Sequence, residues 1–361
     1  MDDYVANFPE DIVNEILLRC PVKSMLRFKC VCKNWYVLIK TPDFVQQHLK
    51  KNRRPPNRLI YDYDNGDDDD DYCGPMTLIS EENFQTFLGM QYLIGYVDGL
   101  FLMYGQINSA ISCALWNPAT REVRSLHFPS PIMDSPIFEY SPNFGLGIDL
   151  LTNDYKAVYF LDYEAAVYSC RRDSWRVFKI EDFDKPPPFD KEVRRTYGTA
   201  YLNGNYYWLL INNNISTILL FNFGREMFEE IEGPDLDSSE HPLVFHYGMM
   251  LFDDSIAILN TSSKVEKRFY YDIWVMIQPG VWNRLITFQC FPVIISCYDS
   301  SLIFVTRASR LFSYNVRTNK TRHLGFHYSR LKDGATYGDG GCGVYYYKES
   351  LIPIKQQELD H

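Results

Sequence analysis

The chain has 361 residues, room for one small module and a large domain or two small ones. Hydrophobic residues make up 46%, with 27 Tyr and 24 Phe, so an extensive core is expected and a disordered protein is excluded. The formal net charge of −10 points away from nucleic acid, which selects a basic face, and favours encounter with a basic protein partner.

The first elements in the chain read as helices. Pro9 suits the first helical position, where a missing N–H has no partner to lose. Ile12 with Ile16, and Val13 with Leu17, are four-residue pairs along one face. Pro21 stops that helix, a second begins around Val22 to Ser24, and Thr41-Pro42 closes the segment. Between them, Met25, Phe28, Cys32 and Trp35 keep three- and four-residue spacing. A unit of about forty residues buries too little surface to stand alone. Its stripes must pack on the rest of the chain or on another protein.

Phe8-Pro9-Glu10-Asp11, Ile16-Leu17, Pro21-Val22-Lys23-Ser24-Met25-Leu26-Arg27 and Val31-Cys32-Lys33-Asn34-Trp35 together resemble an F-box, with Phe8 in place of the customary Leu. The resemblance implies a three-helix domain over residues 1–50 that docks on a Skp-type adaptor, and through it on the cullin of a ubiquitin ligase. Phe8, Pro9, Ile12, Ile16, Leu17, Val22, Leu26 and Val31 are the expected docking residues, while Met25, Phe28 and Trp35 organise the helical core. The plainer reading is a helical hairpin packed on its own domain.

Residues 51–94 read as a linker, an acidic loop and a closing strand, opening a second domain over residues 51–361. There the pattern turns to short strands broken by Gly, Asn, Asp and Pro. A strand led by an aromatic, a polar turn and a second strand recur, with leading aromatics at Trp116, Tyr168, Phe221, Trp274 and Phe312. A more uniformly apolar strand precedes each hairpin, as at Leu100 to Tyr104 and Tyr206 to Ile211. A repeat of about fifty residues built this way predicts propeller blades. Five copies are visible, and a strand near Leu59-Ile60-Tyr61 pairing with Val344 to Tyr347 would close a sixth. The expected fold is therefore mainly β, a propeller-like domain of about six kelch-like blades behind a small α domain, with a β-sandwich as the alternative.

Gly95-Tyr96-Val97-Asp98-Gly99-Leu100, Trp116-Asn117-Pro118, Phe144-Gly145-Leu146-Gly147, Asp154-Tyr155-Lys156, Asp173-Ser174-Trp175-Arg176 and Tyr347-Lys348-Glu349-Ser350-Leu351 are similar to landmarks of plant F-box proteins with an F-box-associated domain. Their order is closest to the S-locus F-box type. That resemblance implies a non-catalytic substrate receptor that binds pistil S-RNases for ubiquitination in self-incompatibility. An endogenous cytosolic target unrelated to pollination is the alternative substrate.

Other patterns carry less. The tract Asp62-Tyr63-Asp64-Asn65-Gly66 and Asp67 to Asp71 fails as a calcium loop, because Tyr72 falls where a bidentate Glu is needed. Gly338-Asp339-Gly340-Gly341-Cys342-Gly343 matches a dinucleotide fingerprint in letters, but a strand follows where a helix is required. His323 and His327 have helical metal-ligand spacing, but His323 closes a strand and Gly325 lies between them, and His241 and His246 lack companions. No metal or cofactor is expected, and a propeller enzyme is the least supported class. Lys185-Pro186-Pro187-Pro188-Phe189 and the loops around Pro129 to Pro142 and Asp235 to Pro242 are candidate recognition segments. Nine cysteines without framework spacing, no apolar leader and no membrane-length apolar run imply reduced thiols in the cytosol or nucleus.

Overall fold

The computed structural model describes residues 9–51, 57–63, 76–80, 84–87, 92–107, 110–127, 143–161, 164–179, 196–212, 215–236, 247–265, 268–290, 293–298, 301–305, 310–327 and 342–354. Four helices come first: α1 (Glu10–Leu17), α2 (Val22–Phe28), α3 (Lys33–Lys40) and α4 (Pro42–Lys51). That is one more than the three expected, because Thr41-Pro42 opens a helix instead of closing the segment. Thr41 Oγ1 accepts from the Phe44 N–H at 3.3 Å, and Pro42 fills the first helical position without loss.

Pro9 and Pro21 sit one residue before their helices, with ψ of 137° and 152°. Each presents a carbonyl to two N–H groups of the following turn. Pro9 thus caps α1 from outside rather than occupying its first position.

Strands follow in groups of four. The first three are β1 (Asn57–Tyr63), β2 (Met76–Ser80) and β3 (Phe84–Phe87). Next come β4 (Tyr92–Val97), β5 (Leu100–Ile107), β6 (Ala110–Asn117) and β7 (Glu122–Leu126), then β8 (Asn143–Asp149), β9 (Asp154–Leu161), β10 (Glu164–Ser169) and β11 (Ser174–Lys179). A third meander holds β12 (Thr196–Leu202), β13 (Asn205–Asn212), β14 (Ile215–Asn222) and β15 (Met227–Glu232). The fourth is β16 (Tyr247–Phe252), β17 (Ser255–Val265), β18 (Arg268–Gln278) and β19 (Val281–Cys290). Last are β20 (Val293–Tyr298), β21 (Ser301–Val305), β22 (Arg310–Asn315) and β23 (Lys320–His327), followed by β24 (Cys342–Tyr347).

Counted by hydrogen bonds these make five sheets, one of them eight-stranded. That one is two meanders joined by a single parallel pair, Gly198 with Met249. β24 returns to lie antiparallel to β1, with Leu59 opposite Tyr345 and Ile60 opposite Val344. The result is a mainly-β propeller closed by strands from both ends of the sequence.

The repeating hairpins have a local cause. In the turns after β6, β10, β14 and β22, the last turn residue has a positive φ: Arg121 at 61°, Asp173 at 53°, Glu226 at 51° and Asn319 at 54°. Asn117, Ser169, Asn222 and Asn315 open these turns, each with a side-chain oxygen accepting a backbone N–H two or three residues on. The leading aromatic of the last copy is consequently Tyr314, beside Asn315, and not Phe312. Two-residue turns at Asp98-Gly99 and Asn203-Gly204, with φ positive at all four residues, join the inner strands.

Between blades the fit is tight. A Cβ on Gly147 would stand 1.9 Å from the Phe223 ring, and one on Gly145 would stand 2.8 Å from Tyr206. These glycines let the aromatics of the next blade close on β8. Lys156 is buried beside them, with Nζ 3.2 Å from Asp149, 2.8 Å from Glu226 and 3.0 Å from the Phe223 carbonyl, so a cation ties two blades together. Burial raises the Asp149 pKa, but hydrogen bonds from Thr152, Lys156 and the Leu151 N–H outweigh that and hold it below the usual carboxylate value.

After β24 the chain leaves the sheet. Asn117 Nδ2 donates to the Ser350 and Ile352 carbonyls at 3.2 and 2.9 Å, and Arg124 Nη1 donates to the Ile354 carbonyl at 2.8 Å. Leu351, Ile352 and Ile354 are thereby held in a core cluster that also contains Leu17, Leu18, Val22 and Met25 of the helices and Leu100, Tyr155 and Ala166 of the blades. One apolar cluster spans helices, tail and propeller.

Two outcomes follow from these clamps. Asn117→Ala should lower unfolding free energy by about 3 kcal/mol in urea titration, since buried carbonyls lose their donors. Asn117→Asp, which keeps the turn acceptor but no donor, should be at least as damaging. Because the folded pKa of Asp149 is depressed, its contribution is complete above the unfolded value of about 3.9 and is lost as pH falls through the folded value. The stability gap between wild type and Asp149→Asn should therefore be full at neutral pH and shrink in urea titrations below about pH 4.

Candidate docking surface

The helical module has an inside and an outside. Leu17 and Leu18 at the end of α1, Val22 and Met25 of α2, Ile39 of α3, and Phe44 and Val45 of α4 are buried. His48 is buried with them, its Nε2 donating to the Cys20 carbonyl at 2.8 Å. Phe28 and Trp35 pack edge-on with ring centroids 5.5 Å apart, joining α2 to α3, and Lys51 pairs with Glu15 to join α4 to α1.

Five large apolar side chains remain on the outside. Ile12 is 47% exposed, Ile16 55%, Val31 61%, Tyr36 41% and Val37 61%. Ile12 and Ile16 are one turn apart on α1, Val31 lies between α2 and α3, and Tyr36 and Val37 lie on α3. Pro9 is also exposed and Leu26 is half-buried. The expected docking residues therefore separate. Pro9, Ile12, Ile16, Leu26 and Val31 remain available to a partner. Leu17 and Val22 do not, because their side chains are consumed by the chain's own core. Phe8 lies outside the described residues.

Tyr36 and Val37 are additions that the motif did not single out. A helical wheel over α3 exposes them: Trp35, Leu38 and Ile39 make the inward set, leaving Lys33, Tyr36, Val37 and Lys40 on the other side.

The inner side of the module rests on one face of the ring. Gln46 of α4 lies beside Tyr155 at the start of β9, and Lys29 feels the charge of Glu122 at the start of β7. Tyr155 in turn donates to Asp98 at 2.9 Å, in the turn between β4 and β5. Burial raises the Asp98 pKa against that hydrogen bond. Antiparallel strands alternate in direction, so the far ends of β5, β9 and β13 lie on the opposite face of the ring. So do the strand ends that flank residues 128–142, 180–195, 237–246 and 328–341. The candidate recognition segments Lys185 to Phe189, 129–142 and 237–242, and the acidic residues from Asp64 to Asp71, lie outside the described residues.

The remaining chemistry is sparse. His323 and His327 share strand β23, not a helix, and the His323 ring packs on Phe312 at 4.9 Å. Among the described residues no group of three His, Cys, Asp or Glu is placed to hold a metal ion. Cys342 and Gly343 begin a strand where a dinucleotide fingerprint needs a helix; Gly338 to Gly341, His241 and His246 lie outside the described residues. Burial pushes the Cys113 thiol up, and that of Cys170 up to about 12. Among the described residues no helix is long and apolar enough to cross a membrane.

Fold and surface thus define a β-propeller scaffold bearing a helical module with an unpartnered apolar face. A family model described as "F-box associated beta propeller domain" matches residues 77–348, and one described as "F-box domain" matches residues 6–47. The chain belongs to the F-box-associated β-propeller family, with an F-box ahead of the propeller. F-box/WD-40 repeat-containing protein 1 of Arabidopsis thaliana is 27% identical over 334 residues, 84% of this chain and 75% of the relative. F-box protein CPR1 of the same plant is 26% identical over 327 residues, covering 79% and 74%. F-box protein At3g08750, also from Arabidopsis thaliana, is 29% identical over 244 residues, covering 63% of this chain and 60% of that relative's length.

Proposed function

We propose that the chain is the non-catalytic substrate receptor of a Skp-cullin-F-box ubiquitin ligase, working in the cytoplasm or nucleus. The observation that carries this reading is the concentration of exposed apolar side chains. Of thirteen large hydrophobics exposed among the described residues, five lie between Ile12 and Val37, on a module whose inner side is already buried. Monomeric surfaces scatter such residues, and clustering marks an interaction site. The adaptor surface of this reading is Pro9, Ile12, Ile16, Leu26 and Val31, extended by Tyr36 and Val37. The division near residue 50 separates this adaptor-binding part from a substrate-binding propeller.

The mechanism is positional. The helices attach the chain to adaptor and cullin, and the propeller holds a target near the charged conjugating enzyme. Target lysines are then presented at high effective concentration. Since helices and blades share one apolar cluster, the held target keeps a defined orientation to the ligase.

For the target, the S-locus landmarks between Gly95 and Leu351 support a pistil S-RNase, and a net charge of −10 suits a basic protein. A second reading, an endogenous protein unrelated to pollination, draws on the 26–29% identity to Arabidopsis F-box proteins at large.

Ile16→Asp combined with Val31→Asp should abolish co-purification with a Skp-type adaptor. Both sites are exposed, so each substitution should change the unfolding free energy by no more than about 0.5 kcal/mol. Adaptor retained at normal stoichiometry by this variant would remove the docking surface. A pull-down of the full chain against a panel of pistil S-RNases should capture at least one, and capture of none selects the endogenous target.

A further inference from the structure

From Ile16 to Pro42 the sequence has six Lys and Arg and no Asp or Glu, within a chain of net charge −10. The run covers α2, α3 and the turn between them, so its positive charge falls on the helices that carry Val31, Tyr36 and Val37. Lys33 lies three residues before Tyr36 and four before Val37, on the same outer side of α3. Lys40 Nζ is 2.7 Å from the Tyr36 hydroxyl and 4.4 Å from its ring centroid. Arg27 is exposed in the last turn of α2.

Pairing distinguishes these cations from others on the surface. Arg176 meets Glu226, Arg225 meets Glu229, and Arg317 meets Asp253. Among the described residues neither Arg27 nor Lys33 has a carboxylate partner. Exposed ion pairs contribute little to stability, so leaving two cations unpaired costs the fold little. It does leave a positive field around the α2 and α3 part of the apolar face, while α1 carries the exposed acids Glu10 and Asp11, and such fields act mainly on the rate of encounter.

Resting on the adaptor reading above, we infer that the partner meets this face with an acidic surface. Arg27 and Lys33 steer its approach, while Ile12, Ile16, Val31 and Val37 set how long it stays. The apolar residues argue for a protein partner over a purely anionic one, since a phosphate surface gains nothing from buried isoleucine.

The test is stopped-flow association of the full chain with a recombinant Skp-type adaptor, at low salt and at about 1 M salt, where charges are screened within about 3 Å. Wild-type association should slow by about tenfold or more at high salt. Arg27→Glu with Lys33→Glu should slow it similarly at low salt and flatten the salt dependence. Dissociation should change by less than about twofold. Arg27→Gln with Lys33→Gln should fall between. Association that ignores both salt and charge reversal overturns the steering and leaves the adaptor reading intact. Absence of wild-type binding at every salt overturns both. Phosphatidylserine vesicles that bind the wild type and release the charge-reversed chain, with adaptor association unchanged, would assign the face to a membrane and overturn the inference.

Discussion

A single apolar cluster shared by the helices, the C-terminal tail and the first blades is the constraint on which the rest depends. Leu17, Leu18, Val22, Met25 and Ile39 are buried in it together with Leu100, Tyr155, Leu351, Ile352 and Ile354. A forty-residue helical unit lacks the surface to hold itself together, and the propeller supplies what is missing. Satisfying the inner side this way leaves the outer side with nothing to cover it. The exposed isoleucines of α1 and the buried leucines at its end are two results of one packing arrangement.

The cluster in turn relies on polar groups that aim its parts. Asn117 serves two purposes at once. Its Oδ1 accepts from the Ala119 N–H at 3.0 Å and shapes the turn, while its Nδ2 holds the Ser350 and Ile352 carbonyls. A Cβ on Gly99 would come within 2.6 Å of the Lys348 carbonyl, so the tail lies directly on the neighbouring turn. Lys156 does comparable work between the next two blades, and its three oxygen partners meet the requirement that a buried charge be compensated. The landmarks Trp116-Asn117, Phe144-Gly145-Leu146-Gly147 and Asp154-Tyr155-Lys156 thus have structural duties at blade junctions, distinct from any contact with a target.

Much of this architecture was legible because it is local. Asp98-Gly99 and Asn203-Gly204 announce tight hairpins by backbone chemistry alone, and the aromatic-then-Asn pattern marks turns whose first residue must accept an N–H. The closing pair of β1 and β24 was readable because both segments are apolar strands that stand outside the repeated hairpins. What local sequence does not carry is whatever depends on distant contacts. Leu17 and Val22 look as available as Ile12 and Ile16 on two short helices that are apolar on more than one side. Only the blades beneath decide which side faces in. Tyr36 and Val37 lie beyond the motif, which ends at Trp35, although their spacing from Lys33 and Lys40 places them outward. Ser350-Leu351-Ile352-Pro353-Ile354 gives no strand or helix signal, and its partner Asn117 is more than two hundred residues earlier in the chain.

Pairing β24 with β1 also orders events during synthesis. The ring lacks its last strand until the ribosome has passed Tyr347, whereas the four helices are complete by Lys51. Through most of translation the nascent chain therefore carries its helices without the tail that completes their footing. Premature termination just before Cys342 would strip β1 of its outer neighbour and bare that strand edge, a template for aggregation rather than a smaller working version of the same molecule.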